Sequence, residues 1–235
     1  MAKRVKRHAT KTEETEEFYP FFERSREVFA AHRRLISGGL VIVCLIIVGV
    51  VLWTRHVERQ ERRASFLLYQ GMIALKEADG LTGDEARKGY DKALNILKKV
   101  AETHGSTKNG ELGLFFVGKC LARLKRYDEA IQHYEAFLSE NEKNPLYRAL
   151  AKQSLGFAYE SRKDYEKALV CFKEVAAMDR SFLREEATLA VARIHEAMGQ
   201  KREALDAYRE YLTNHPDSVE TSHIRRRVAL LENQL

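Results

Sequence analysis

The sequence predicts an all-α chain: a single transmembrane helix near the N-terminus, then an α-solenoid of about four helical hairpins, then a C-terminal capping helix. Three observations carry this expectation. The 235 residues are 45% apolar and 31% charged with only 3 prolines, a composition rich in helix formers and short of the turn residues that a barrel or sandwich needs. One run of nineteen residues carries no charge. A short motif centred on alanine recurs four times at intervals of 36 to 38 residues. The apolar content is enough to bury a core, which excludes a disordered chain. Three cysteines, Cys44, Cys120 and Cys171, sit far apart with no CxxC, so neither a disulfide framework nor a zinc finger is expected.

Residues 1–34 form a basic leader. It holds Lys3, Arg4, Lys6, Arg7, Lys11, Arg24, Arg26, Arg33 and Arg34. In its second half Phe18, Phe22, Phe29 and Ile36 recur near helical spacing with charges between them, and Pro20 suits a first helical turn. Two uses stand for this segment: an interfacial or docking helix, or a short stalk whose aromatics sit at the lipid headgroups.

Residues 35–53 read LISGGLVIVCLIIVGVVLW. At about 1.5 Å per residue such a helix spans the roughly 30 Å hydrocarbon core of a bilayer. Arginines fence it on both sides, at 33 and 34 and again at 55, 59, 62 and 63. A cleaved signal peptide fits poorly, because a long leader precedes the run and no small-residue cleavage site follows it. A lipobox fits poorly too, since Val43 precedes Cys44 and apolar residues continue beyond it. Basic flanks are retained on the cytoplasmic side. Within about twenty residues of the run the two flanks hold equal numbers of basic residues, so the cluster from Lys3 to Lys11 decides the orientation: leader inside, large domain outside.

Residues 54–216 carry the repeat. Its motifs centre on Ala93, Ala130, Ala168 and Ala204, and four residues after each stands a large side chain, Leu97, Tyr134, Phe172 or Tyr208. Twelve residues before the last three alanines lie Gly118, Gly156 and Ala192, followed three residues later by Leu121, Tyr159 and His195. Small residues at two fixed places let antiparallel helices approach closely while the large ones fill the groove between neighbouring pairs. In the first unit Gly71 and Ala93 are 22 residues apart instead of 12, which reads as a ten-residue turn insertion around Asp79 to Asp84. Longer turns are expected at Ser139 to Pro145 and Met178 to Phe182. Residues 217–235 supply a last helix, Val219 to Asn233, whose Glu220 and Arg225 to Arg227 give the stack a polar end.

These spacings resemble the tetratricopeptide repeat, with its Gly, aromatic, Ala and aromatic positions and a late Pro. Leu155, Gly156, Tyr159, Ala168 and Phe172 match well; Ala192, Ala204, Tyr208 and Pro216 match in part. Where the repeat usually has a Trp, this chain has Leu114, Lys152 and Thr188. The layout of short leader, single span and divergent repeats is also similar to the YfgM-like family of bacterial inner-membrane proteins. That resemblance implies an ancillary subunit of the Sec translocon or a chaperone-linked factor handling exported polypeptides, anchored in the inner membrane with its repeats in the periplasm. A scaffold for an envelope assembly such as a pilus, secretion or division machine is the alternative. A mitochondrial import receptor would need the opposite orientation.

Catalytic signatures are absent: no glycine-rich phosphate loop, no Gly-x-Ser-x-Gly and no second His at zinc spacing from His195 occur. No enzyme activity, cofactor or metal is expected, and His133, His195 and His215 read as core or solvated residues. From residue 55 onward 31 basic groups face 28 acidic ones, too even a balance for a nucleic-acid surface. The expected partners are proteins, namely translocon subunits, chaperones or exported polypeptides, with the lipid bilayer held by residues 35–53 and no small-molecule substrate. Stacked hairpins present their first helices to a groove that binds extended peptides. Counted from the repeat starts, its lining is Phe115, Lys119, Arg123, Gln153, Phe157, Glu160, Leu189, Arg193 and Glu196. The two-carboxylate clamp by which some such repeats grip chaperone tails is missing, since Met72, Phe116, Leu150 and Ser154 occupy its places.

The charge distribution makes topology testable. A reporter active only in the periplasm is expected to work when fused after Leu235, and a cytoplasm-active one to stay silent; the reverse pattern would assign the opposite orientation.

Overall fold

The computed structural model describes residues 32–140, 144–178 and 183–235. The basic cluster and aromatic segment of the leader lie outside the described residues, as do the centres of the two longer turns. Among the described residues there are nine α-helices and no strand. They are α1 (Arg33–Asp79), α2 (Gly83–His104), α3 (Lys108–Arg123), α4 (Tyr127–Glu140), α5 (Pro145–Ser161), α6 (Tyr165–Ala176), α7 (Arg184–Ala197), α8 (Lys201–Asn214) and α9 (Thr221–Glu232). The chain divides into two compact units, one ending at His56 and the other running from Val57 to Leu235.

In the first unit the uncharged run lies within α1. Its most apolar stretch has a mean hydropathy of 3.0 with none of it buried. By length and composition this helix is able to cross a membrane.

The second unit is a stack of hairpins, built from one recurring contact. The alanines at 93, 130, 168 and 204 are fully buried. A methyl group added at Gly118 would lie 2.7 Å from the Tyr134 ring, and one at Gly156 2.9 Å from the Phe172 ring. The first hairpin uses the same device in aliphatic form, with Gly71 against Leu97, where an added methyl would be 2.5 Å away. In the fourth, buried Ala192 takes the small place and shares a core with Tyr208. In the first three hairpins the large side chain of the second helix thus seats on the bare backbone of its partner helix.

The structure corrects the expected ten-residue insertion. The turn between α1 and α2 is only Gly80 to Thr82; the additional residues extend the C-terminal end of α1 and the N-terminal end of α2. Helix costs nothing in loop closure, and the extension buries Ala74, Leu75, Ala78 and Ala86. The Gly71–Leu97 contact survives because the hairpin lengthens beyond it, not within it.

The later hairpins share a turn. Lys125, Lys163 and Gly199 have φ of 60°, 61° and 74°, and the residue after each donates its N–H to the carbonyl five back: Arg126 to Leu121, Asp164 to Tyr159 and Gln200 to His195, each at 2.9 Å. This is the Schellman arrangement that closes a helix end.

Two caps hold the start of α3. The Thr107 hydroxyl accepts from Gly110 N–H at 2.9 Å, and the carboxylate of Glu61 on α1 accepts from Lys108 N–H at 3.1 Å and Asn109 N–H at 3.2 Å, with the Asn109 amide as a further donor. A negative charge here also suits the positive end of the helix dipole. One core joins the first three hairpins to α7 through Ala190 and Ile194, and a second joins α7, α8 and α9 through Tyr211, Ile224 and Leu231. The capping helix keeps Arg225 and Arg226 in solvent.

Because these cores are complete within the second unit, residues 57–235 alone are expected to give a soluble, almost wholly helical domain by circular dichroism; strand content would contradict this. In that piece Ala168→Phe is expected to cost roughly 1 to 3 kcal/mol in a denaturant titration through overpacking, and an unchanged midpoint would show that the contact is slack.

Candidate binding surface on the first helices

The first helices of successive hairpins face one another. The α3–α5 contact includes Phe115 and Tyr147, with ring centroids 6.3 Å apart; polar pairs continue the series. Gln153 on α5 donates to Glu186 on α7 at 2.9 Å. Arg193 on α7 makes a two-pronged pair with Glu160 on α5, both bonds 2.9 Å. Arg227 on α9 pairs with Glu196 on α7, its Nε donating at 3.0 Å, and the Tyr208 hydroxyl donates to the same carboxylate at 3.0 Å. At the other end Arg123 on α3 reaches Asp79 at the end of α1 at 3.0 Å, where the Tyr90 hydroxyl also donates at 2.9 Å. The result is a ladder of charges along the first helices.

The ladder pairs are partly exposed, so each contributes about 0 to 1 kcal/mol. Their larger effect is on register, since a slip of one helical turn would leave each charge facing the wrong residue. The Arg193 guanidinium is further held over the Phe157 ring, 5.9 Å from its centroid, and Phe157 meets Phe172 edge-on at 5.0 Å.

The structure places the nine expected groove residues in three groups. Phe115 is 4% exposed and packs among Phe116, Tyr134, Phe137 and Tyr147; it is a core residue, which corrects its assignment to the groove. Gln153, 6% exposed, is buried as well. The reason is shared, because the next hairpin's first helix covers this place on the preceding one. Leu189 at the equivalent place is half-buried against the last core. Arg123, Glu160, Arg193 and Glu196 reach the first-helix surface and carry the ladder. Lys119 and Phe157 also reach that surface, and Lys119 makes no ion pair among the described residues.

Between α3, α4 and α5 lies a cleft of about 240 Å³ lined by Lys119, Arg123 and Phe157. The sequence reading missed its other polar walls, Tyr127, Tyr134, Ser154 and Ser161. Ser154 and Ser161 each sit within one turn of Phe157 on α5, a spacing that would have found them had the groove face been extended from Phe157. The Tyr134 hydroxyl bonds to Ser154, and burial pushes its ionisation well above the ordinary tyrosine range, so it stays neutral.

The cysteines are set apart from this chemistry. Burial raises the Cys120 thiol to about 12 and the Cys171 thiol to about 11, so neither offers a thiolate near neutral pH.

At the far end of the stack one carboxylate ties three elements. Glu185 on α7 accepts from Ser218 at 2.6 Å and from Tyr211 on α8 at 2.8 Å. The Ser218 bond first, then the Tyr211 bond, holds its carboxyl below the usual range. A depressed carboxylate contributes stability that is present above its unfolded pKa of about 4.3 and is lost as pH falls through the lower folded value. Glu185→Gln is therefore expected to lower the melting temperature more at about pH 6 than at about pH 3. An equal deficit at both pH values would refute the assignment.

The tetratricopeptide repeat-like domain family matches residues 26–231. In fold, the chain is similar to a Podosopora anserina kinesin light chain with nearly identical TPR-like repeats, at TM-score 0.60 and 15% identity over 73% of this chain and 89% of that one. It is similar likewise to MamA from Desulfovibrio magneticus RS-1, at TM-score 0.56 and 19% identity over 73% of this chain and 84% of that one. The peptidyl-prolyl cis-trans isomerase FKBP42 of Arabidopsis thaliana is 38% identical over 92 residues, which are 38% of this chain and 24% of that protein. The chain thus matches about a quarter of that enzyme's length.

Proposed function

The chain belongs to the tetratricopeptide repeat-like family, and from that premise we propose that it is a membrane-anchored module for protein–protein interaction. Residues 35–53 hold it in a bacterial inner membrane, the leader lies in the cytoplasm, and the repeats work in the periplasm. There it acts as an ancillary Sec translocon subunit or chaperone-linked factor that handles exported polypeptides, without enzymatic activity. The observation that carries this reading is an apolar, wholly unburied run in the same chain as a stack whose first-helix surface offers Lys119 and Phe157 beside a cleft. An uncharged helix of this length buries its surface in lipid or in another protein, and the cleft is placed to meet an extended chain. Tethering raises the effective concentration of passing chains, so a weak groove is sufficient.

A fixed scaffold in an envelope assembly is the second reading. It is favoured by Phe66 and Tyr69 on α1, 61% and 62% exposed, which offer an apolar surface to a permanent neighbour.

Photoreactive groups at Phe157 and Lys119 in native membranes separate the two. Translocon subunits and secretory chains support the first reading; a single stoichiometric component supports the scaffold. In the same system Phe157→Ala is expected to weaken client crosslinks while leaving co-purification with the membrane complex intact, and replacing residues 35–53 by an unrelated span is expected to do the opposite. Loss of the same contacts in both variants would favour one rigid assembly interface.

A further inference from the structure

We propose that the exposed face of α1 at Phe66, Tyr69 and Ile73 is where a second copy of this chain docks, the two α1 helices crossing side by side in a closed pair. The inference goes beyond the client-handling reading and rests, of that reading, on the membrane anchor alone; the cleft at Lys119 plays no part in it.

The face is a stacking surface with no hairpin on it. Counted from the small residue at the centre of each first helix, Gly71, Gly118, Gly156 or Ala192, the place five residues earlier holds Phe66, Gly113, Ala151 and Ala187 in turn, and the place two residues later holds Ile73, Cys120, Ala158 and Ile194. In the second, third and fourth hairpins every one of these residues is buried. For α3 the cover comes from the hairpin before it: a methyl group added at Gly113 would lie 3.1 Å from the Ala101 backbone and 3.3 Å from the Val100 side chain, both on α2. The first hairpin has no such neighbour among the described residues, and Phe66, Tyr69 and Ile73 stand 61%, 62% and 38% exposed. At spacings of three and four residues they form one stripe along the helix. A contiguous apolar stripe of this kind marks an interaction surface.

Side-chain size, charge and area choose the occupant. Repeat-style stacking brings the neighbour so close that the other three hairpins hold only Gly or Ala at the first of these places. A phenyl ring at Phe66 shuts out a further hairpin of that kind. It also shuts out head-to-tail stacking of whole chains, whose other end presents Arg225 and Arg226 to solvent. What remains for a second copy is an isologous contact, in which the same patch meets itself and the assembly closes at two. Six charged residues from Arg55 to Arg63 separate Trp53 from the stripe, so the stripe does not continue the apolar run into lipid. On its own line Arg59 and Arg62 precede Phe66, and Glu77 follows Ile73; these ends stay in water as a polar rim where two helices diverge from their crossing. The three side chains expose roughly 300 Å² in each copy, about 600 Å² in a pair, against about 1,200 Å² at the low end of stable interfaces. Free copies therefore pair weakly. Anchored copies differ, because each carries its stripe thirteen residues after Trp53, and confinement to one bilayer raises the effective concentration of matching faces enough to offset the small area.

The test uses the full chain in its native membranes, produced together in two forms that carry different epitope tags, with Cys44→Ala to remove the exposed native thiol. Gln70→Cys, exposed beside the stripe, is expected on mild oxidation to give a disulfide-linked species bearing both tags. Val170→Cys on α6, equally open to solvent, should stay single. Adding Phe66→Asp to Gln70→Cys should cut the linked fraction about tenfold, since a small contact cannot absorb an unpaired charge, while Phe66→Leu should preserve it. Circular dichroism and melting temperature confirm that each variant is folded. Absence of the species with both tags, linkage of Gln70→Cys no faster than of Val170→Cys, or indifference to Phe66→Asp would overturn the pairing. Linkage of Gln70→Cys to a different protein would assign the face to that protein, and quenching of a fluorophore on Gln70→Cys by brominated lipid would assign it to the bilayer; each result overturns the second copy. Extraction with alkaline carbonate reads the anchor separately. A chain kept in the membrane pellet without the doubly tagged species overturns the pairing alone, and a chain released into the wash overturns the anchor reading.

Discussion

The seating of a large side chain against a bare stretch of helix is the contact on which the rest of this stack depends. Gly118 under Tyr134 and Gly156 under Phe172 bring the two helices of a hairpin closer than any Cβ would permit. The buried alanines at 130 and 168 sit one turn before those rings and hold the approach from the other side. Once that distance is set, the direction in which each hairpin meets the next is set with it. Neighbouring first helices then fall within reach of charged side chains, and a ladder from Asp79 to Arg227 becomes geometrically available. Surface ion pairs of this kind are too weak to create the arrangement. They select among registers that packing has already made close in energy.

This order of causes explains which parts of the molecule were legible in the amino-acid string. The four hairpins were readable because Ala and its large partner four residues on are local, and their spacing repeats along the chain. Phe115 was not, because counting within one helix identifies a face but not what the following hairpin lays over it; Tyr147 does that from the next repeat. The first turn misled for a related reason. An excess of ten residues between two landmarks has the same length whether it is loop or helix, and the deciding factor is the core available to Ala74, Leu75 and Ala86 in a longer pair of helices.

The ladder did leave a trace in the sequence. Gln153 and Glu186, like Glu160 and Arg193, are 33 residues apart, about one helical turn less than the 36 residues from Gly156 to Ala192. Complementary residues offset in that way mark contacts between repeats, whereas those at the full period mark equivalent places. Arg123, Glu160, Arg193 and Glu196 looked alike as surface charges. Their partners divide them from Lys119, which makes no ion pair among the described residues.

The cap on α3 has a mechanical consequence. Glu61 lies on α1, 47 residues before the amide it accepts from at Lys108, and its carboxylate bypasses α2 to grip the start of the second hairpin. The part of α1 from Val57 onward is therefore joined to the rest of the solenoid at two points at once, the Gly71–Leu97 seat and the Glu61 carboxylate. A lever fixed at two points does not swivel. Cutting the carboxylate link would leave the first hairpin pivoting against the second on its packing contacts alone.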